Sequence, residues 1–158
     1  MKFKLIGACA MLAGIAVAGP ASAQPSTSAN PNYGTINLSA GFSNDPRVIN
    51  VVSGGATSAS SVGNNCAGWV SRASDVRLNY DAGSLPLIIS ADSSDDTTLI
   101  VNGPDGRWYC DDDGGVNGLN PSIRFNNPQS GRYEIWVGSY REGVNSRARL
   151  HISELRSQ

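Results

Sequence analysis

The sequence predicts an all-β protein that folds as a single antiparallel β-sandwich of about nine strands. From residue 34 onward, Gly, Pro, Asn and Asp recur roughly every eight to twelve residues, which is the turn spacing of sandwiches and barrels. Short runs of alternating apolar and polar residues lie between these turns. After residue 23 no apolar period of about 3.6 residues extends over a useful length, so a helical fold is not expected.

The alternating runs give the strands in chain order. The candidates are GTINLS (34–39), RVINVVS (47–53), DVRLNYDA (75–82), LPLIISA (85–91), TTLIVN (97–102), RWYC (107–110), PSIRF (121–125), SGRYEIWVGSY (130–140) and RARLHISEL (147–155). Residues 54–65 contain few large apolar side chains and are assigned to a loop. In the third candidate, Val76, Leu78 and Tyr80 share one face. The turn GPDG (103–106) joins the fifth and sixth candidates as a hairpin.

The first 23 residues have the organisation of a secretory signal peptide. Two lysines supply a positive amino-terminal region, residues 5–19 are apolar, and ASA (21–23) fits a small-residue cleavage site. We therefore predict an exported protein, periplasmic or extracellular, with no membrane span after signal cleavage. Residues 24–33 (QPSTSANPNY) are rich in Pro, Ser and Asn and are predicted to be a flexible leader to one domain at 34–158.

The composition of the chain without its signal peptide limits the classes of partner that can be expected. The remaining 135 residues (158 less 23) suffice for one domain with its own core. They contain ten arginines, no lysine and thirteen acids, so the net charge is about −3. Because no basic block is present, nucleic acid is not an expected partner. An extracellular or periplasmic protein or polysaccharide, of unknown identity, is expected instead.

Two cysteines, Cys66 and Cys110, follow the signal peptide. In an exported chain they most simply form one disulfide bond. The alternatives are a metal–thiolate pair and a reactive thiol. Two widely separated cysteines and a single histidine make a poor zinc site, so the disulfide is favoured.

The stretch WYCDDDGGVNGLNP (108–121) contains a candidate calcium site. Its oxygen donors are Asp111, Asp112, Asp113 and Asn120, and the glycines would let backbone carbonyls turn inward. The predicted hairpin brings Asp96 close to the three aspartates, where the carboxylates would repel one another without a counter-ion. The spacing is not that of an EF-hand. The alternative is a polar loop that hydrogen-bonds to itself.

Hydrolysis is the weaker chemical hypothesis. A serine triad needs a histidine, and the alternation of the last strand candidate places the single one, His151, on the outer, solvent-facing side with Arg147 and Arg149. No G-x-S-x-G sequence is present. Paired carboxylates for glycoside hydrolysis would need one acid in a cleft, whereas these lie together on a Gly-rich loop.

Aromatic residues offer a third kind of site. Trp136 has the opposite parity to Tyr133 in its strand candidate, so it faces the other side of the sheet. Trp108, Trp136 and Tyr140 are therefore candidates for an exposed platform that stacks on a sugar or a peptide. The alternative is that loops bury these rings.

The segment from Ser94 to Tyr140 resembles the bacterial pre-peptidase C-terminal domain. The matching features are Asp96, TLIVNGPDG (98–106), DDDGG (111–115) and a late Gly-x-Tyr-x-Ile-x-Val strand at 131–137, and the resemblance covers roughly residues 66–155. The chain is also similar to small exported proteobacterial proteins that often carry a peptidase label. They share a C-x-G-[WY] motif, here Cys66 to Trp69, and WYCDDD (108–113).

The resemblance implies a jelly-roll-like sandwich that serves as an accessory module of secreted peptidases. Some relatives bind Ca²⁺ or an extracellular polymer. Because the predicted signal peptide leads almost directly into the module, we expect no catalytic domain before it, and a peptidase label would describe association and not activity. We therefore predict a non-catalytic binding or accessory module, stabilised by Ca²⁺. A carbohydrate-binding module and a peptidase-associated hydrolase are the alternatives.

Overall fold

Two β-sheets make up the fold in the computed structural model, which describes residues 24–158. The predicted signal peptide at 1–23 lies outside these residues. In chain order the strands are β1 (Thr35–Ser39), β2 (Arg47–Val52), β3 (Thr57–Ser58), β4 (Trp69–Val70), β5 (Val76–Asp81), β6 (Leu87–Ser93), β7 (Thr97–Asn102), β8 (Trp108–Asp111), β9 (Ser122–Phe125), β10 (Gly131–Ser139) and β11 (Arg147–Ser153). One 3₁₀ turn, Ala59–Ser61, follows β3. The predicted all-β sandwich is confirmed.

The sheets have seven and four strands. The larger one has the order β1-β5-β10-β4-β3, with β7 also paired to β10 and β8 paired to β7. The smaller one has the order β2-β11-β6-β9. The hairpin predicted around GPDG is formed by β7 and β8, which pair from Leu99 opposite Asp111 to Asn102 opposite Trp108.

Two details differ from the predicted antiparallel sandwich of about nine strands. Two additional short strands are present: β3 lies within the segment predicted to be a loop (54–65), and β4 follows that segment. The pairing of β1 with β5 is parallel, from Thr35 opposite Arg77 to Ser39 opposite Asp81. Parallel pairing requires a distant partner, and strand alternation along the sequence does not indicate its direction.

Residues 24–33 are hydrogen-bonded to the domain and do not extend from it as the predicted flexible leader. Ser26 forms a parallel bridge with Ala73, and the amide of Tyr33 donates to the carbonyl of Asp75 at 2.8 Å. The segment therefore runs beside the start of β5 and leads into β1 in the same direction. Backbone N–H groups of this segment are therefore hydrogen-bonded to the domain and not to solvent alone.

The main core lies between the sheets. The face predicted in β5, with Val76, Leu78 and Tyr80, is buried there, against Tyr133 and Ile135 of β10. Each fully buried Leu or Ile side chain contributes about 1.5–3 kcal/mol to folding through loss of apolar surface. Among the described residues no helix is long and apolar enough to cross a membrane.

A smaller core lies on the outer face of the seven-stranded sheet. Trp136 packs there with Ile100 and Val70, under the segment that carries the 3₁₀ turn. Cys66 and Cys110 form the predicted disulfide bond beside them, with a Cα–Cα distance of 5.1 Å. The loop is thus fixed over an otherwise exposed sheet face.

Candidate functional site

The carboxylate of Asp111 is used inside its own loop. It lies at the end of β8, and its Oδ2 accepts hydrogen bonds from the amides of Gly114 at 2.7 Å and Ser122 at 2.8 Å. This is the arrangement of the self-bonded polar loop. Asp111 therefore ties the loop to the start of β9.

Asn120 is also engaged by the protein. Its side chain is buried, and its Oδ1 accepts from the amide of Ser93 at 3.1 Å and from the hydroxyl of Thr97 at 3.2 Å. Its Nδ2 donates to the carbonyl of Ser93 at 3.3 Å. The side chain of Asn120, a predicted metal ligand, therefore connects the loop to the β6–β7 turn through hydrogen bonds.

Asp96 does lie close to the remaining aspartates, as the hairpin predicts. Partial burial and the negative charges of Asp113 and Asp112 raise the pKa of Asp96, against the opposing charge of Arg141. However, no group of three or more His, Cys, Asp or Glu side chains in residues 24–158 is arranged to hold a metal ion. The five predicted ligands do not form one cluster, and calcium binding stays a prediction.

The three aromatic residues do not form one exposed platform. Trp136 is 0% exposed, so it cannot contact a ligand, and this part of the prediction is wrong. Trp136 does lie on the face of the sheet opposite to Tyr133, as its position in the strand predicts, but the disulfide-linked loop covers that face. Trp108 is half-buried against Trp136, with ring centroids 5.3 Å apart. Tyr140 is exposed, but it follows the opposite end of β10 from the Trp108 row.

His151 is buried, contrary to the predicted solvent-facing position. It lies on the outer face of β11, as the alternation predicts, but only 5% of its surface is exposed. Its Nε2 is 3.2 Å from Oδ1 of Asp92 on the adjacent strand β6. Burial lowers the pKa of His151, although the Asp92 carboxylate acts in the opposite direction.

Asp92 joins His151 to Arg149. The Arg149 guanidinium donates to both carboxylate oxygens, with 2.9 Å from Nε to Oδ1. Partial burial acts to raise the pKa of Asp92, but the hydrogen bonds from Arg149 and His151 lower it overall. The carboxylate is therefore held ionised by two neighbours on β11.

This network does not extend to a serine nucleophile. Ser90 lies directly opposite His151 in the β6–β11 register, but its hydroxyl accepts a hydrogen bond from the amide of Gln158 at 3.1 Å. Nδ1 of His151 has no hydrogen-bond partner among the described residues. Ser90 is fully buried, so a substrate could not reach its hydroxyl.

A groove of about 600 Å³ lies beside this network, on the outer face of the four-stranded sheet. Its lining residues come from three strands, the residue after β6 and the segment before β1: Tyr33, Asn50, Val51, Val52, Asp92, Ser93, Ser94, Arg147, Ala148 and Arg149. At one end, the hydroxyl of Tyr33 accepts a hydrogen bond from the amide of Val52 at 2.8 Å. The groove therefore combines an aromatic ring, an apolar side chain, an amide and charged groups.

Arg147 is the free cation of this groove. Among the described residues it forms no ion pair, whereas Arg149 is held by Asp92. Arginine can form two parallel hydrogen bonds to a carboxylate or to adjacent ligand oxygens. The alternation of β11 predicts that both arginines face outward, but no local pattern joins them to Asn50 or Asp92 in one site.

A second groove, of about 420 Å³, lies on the outer face of the seven-stranded sheet. Its charged group Arg132 is paired with Glu134, and two of its amide side chains are paired with each other. Asn79 donates to Asn37 at 2.8 Å across the parallel strands. This leaves the groove around Arg147 as the better candidate site. No family model matches this chain, and no curated protein does.

Proposed function

We propose that this chain is an exported, non-catalytic β-sandwich module that binds an extracellular or periplasmic ligand in the groove around Arg147. The single observation that supports this most is the unpaired guanidinium of Arg147 in a groove of about 600 Å³. Ligand sites combine concave apolar surface with a few polar groups that fix orientation. Here Tyr33 and Val52 supply the first, and Asn50 and Arg147 supply the second.

A binding role fits the geometry better than hydrolysis does. Ser90 is buried and hydrogen-bonded to the Gln158 amide, and His151 is held by Asp92. The resemblance to pre-peptidase C-terminal domains favours the same role, that of an accessory module beside an enzyme. The disulfide is typical of compartments outside the cytosol and supports export.

The test is an NMR titration of the ¹⁵N-labelled protein, comprising residues 24–158. Sodium polygalacturonate, dextran and a short acidic peptide serve as probes. We expect at least one of the two anionic probes to shift the amide signals of Asn50, Arg147 and Arg149 in a saturable manner. Arg147→Ala should reduce the affinity about tenfold, since one charge-assisted contact is lost.

Arg124→Ala is the matched control, because Arg124 faces outward on β9, at the far edge of the same sheet. It should bind like the wild type. If no probe shifts the groove amides, or if Arg124→Ala weakens binding as much as Arg147→Ala, the groove is not the binding site. Turnover of casein or of an ester substrate that His151→Ala abolishes would contradict the non-catalytic role.

Calcium stabilisation is the second candidate. It is supported by the crowding of Asp96 by Asp113 and Asp112, which a cation would relieve. On this hypothesis the melting temperature rises when EDTA is replaced by Ca²⁺, and it does not rise with Mg²⁺. The double variant Asp112→Asn, Asp113→Asn should lose this response. Equal melting temperatures in EDTA and Ca²⁺ would leave the acidic stretch as a hydrogen-bonded loop.

A further inference from the structure

Strand β2 leaves one edge of the four-stranded sheet unpaired. The backbone N–H and C=O groups of its odd-numbered residues point toward β11. This follows from Ser53, which continues the strand and whose amide donates to the carbonyl of Ser146 at 2.8 Å. The backbone groups of the even-numbered residues of β2 point away, because the amide of Val52 donates to Tyr33 and not to β11. By the alternation of antiparallel pairs, the backbone groups of Val48 and Asn50 also point outward. No described residue hydrogen-bonds to them.

The side chains along this edge are unusually apolar for an edge strand. Val48 is 43% exposed and Val52 is 48% exposed, and both point to the outer face with Asn50 between them. The edges at β9 and β1 are protected in the usual ways, by charge, polarity or shortness. β9 has four residues and an outward Arg124, and the outward positions of β1 are polar (Thr35, Asn37 and Ser39).

Positive charge lies directly behind this edge. On β11, Arg147 lies in register with Val52, and Arg149, whose charge is paired with Asp92, lies in register with Asn50. Arg47 stands at the start of β2. A strand added beside β2 would lie about 4.8 Å from it, so its outer-face side chains would reach Val48 and Val52 directly and the arginines across β2.

We propose that the free edge of β2 takes up an extended peptide segment as a fifth strand, with an acidic side chain of that segment directed to the free guanidinium of Arg147. The proposal rests on the groove being the binding site and specifies the ligand as a peptide. Backbone hydrogen bonds to Val48 and Asn50 supply strand pairing, and the two valines supply apolar contacts. Arg147 selects an acidic residue between the two apolar residues of the segment, because Arg149 is already bound to Asp92.

The probe is a fluorescein-labelled, capped peptide, Ser-Val-Thr-Glu-Thr-Val-Ser. In a strand its two valines and its glutamate share one face. Its partner has lysine in place of glutamate. Titrated with millimolar protein and followed by fluorescence anisotropy, the glutamate peptide should bind about tenfold more tightly than the lysine peptide, because the latter is repelled by Arg147. Equal binding of the two would overturn the acidic preference.

The decisive variant is Asn50→Pro. Its amide points away from β11, so proline removes the outward donor without breaking the ladder inside the sheet. We expect Asn50→Pro to abolish binding of the glutamate peptide, while Asn50→Ala, which keeps the amide, binds within about threefold of the wild type. Binding by Asn50→Pro at wild-type strength would overturn strand addition.

Hydrogen exchange on the unaltered protein gives an independent readout if Asn50→Pro does not fold. The glutamate peptide should slow exchange of the Val48 and Asn50 amides, and unchanged exchange would overturn the proposal. If polygalacturonate shifts the groove signals but the peptide does not, the groove is a binding site and the strand proposal fails. If Asn50→Pro only abolishes self-association in sedimentation experiments, the edge is occupied by a second copy of this chain.

Discussion

The carboxyl group of Asp75 shows what burial does to a single residue. It is 3% exposed, and its two oxygens accept hydrogen bonds from the amide of Val137 at 2.8 Å and from the side chain of Asn32 at 3.3 Å. Burial raises the pKa of Asp75 to about 7, although both hydrogen bonds act to lower it. Asp75 thus joins the segment at 24–33 to β10 at the cost of a buried acid.

This predicts a pH dependence of stability. The folded protein holds the Asp75 proton up to about pH 7, whereas the ordinary pKa of the group is 3.8. The folded state binds the proton more tightly, so this group lowers stability as pH rises from about 4 to about 7. The effect is on the order of a few kcal/mol. Asp75→Asn should flatten the decline.

Urea unfolding at pH 4, 5.5 and 7.5 would measure this, with the exposed Asp81→Asn as the control. The control should keep the wild-type profile. A decline in Asp75→Asn as steep as in the wild type would assign the pH dependence to other groups.

At the scale of one loop, the three adjacent aspartates should differ in their effect on stability. Asp111 accepts two backbone hydrogen bonds, whereas Asp112 and Asp113 accept none from the described residues. Asp111→Ala should therefore lower the free energy of unfolding by about 2 kcal/mol, as expected for hydrogen bonds to a charged acceptor. Asp112→Ala and Asp113→Ala should change it little. Thermal melts in EDTA separate these cases, and three equal losses would indicate that the aspartates act together.

The segment after β11 controls the environment of His151. Gln158 is bound at both its amide and its carbonyl, by Ser90 and by Val116 respectively. The positive charge of Arg156 also lowers the pKa of His151, after burial and Arg149. A depressed histidine pKa means that stability is lost as pH falls below about 6.5, because the unfolded chain then binds the proton more readily.

Removal of residues 155–158 should therefore raise the pKa of His151 towards 6.5. Arg156→Ala should raise it by a smaller amount, since only the charge is lost and the cover remains. An NMR titration of the imidazole Cε1–H signal measures both shifts. An unchanged pKa after truncation would show that the neighbouring strands alone keep water from the ring.

The disulfide acts on the whole molecule, because it joins residues 44 positions apart and fixes the loop over Trp136. Loop-entropy arguments give about 4 kcal/mol for closing a loop of this length. The double variant Cys66→Ser, Cys110→Ser should lose stability of this order, and its tryptophan emission should shift to longer wavelength as Trp136 gains water. Denaturation curves and fluorescence spectra test this. A stable variant with unshifted emission would show that packing alone holds the loop.

Local patterns predicted much of the fold. The strand alternation of β5, β10 and β11 and the β7–β8 hairpin follow from residue spacing, and the disulfide follows from the presence of two cysteines after a predicted signal peptide. The parallel pairing of β1 does not, because it depends on Ser26 and Tyr33 finding partners about 40 residues away. The burial of Trp136 also does not follow from local patterns. The loop that covers it contains few large apolar residues, so its sequence does not indicate that it packs on the sheet.

The candidate site was less predictable, because it joins residues that are distant in sequence. Asp92 falls between the predicted strands at 85–91 and 97–102, yet it pairs with Arg149 and His151, 57 and 59 positions later. The aspartates after Cys110 suggest a metal site because the sequence shows their oxygen donors. It does not show that a carboxylate oxygen of Asp111 already accepts backbone hydrogen bonds. Only the register of β2, β11 and β6 brings Asn50, Arg149 and Asp92 into one row.

The single disulfide also simplifies maturation. The described residues contain two cysteines, so one pairing exists, and an oxidase suffices without an isomerase to correct errors. Cys9, in the predicted signal peptide, would allow two incorrect pairings. Cleavage before oxidation would remove both. A folding protein that keeps residues 1–23 should therefore form some Cys9–Cys66 and Cys9–Cys110 disulfides, which a chain without those residues cannot form.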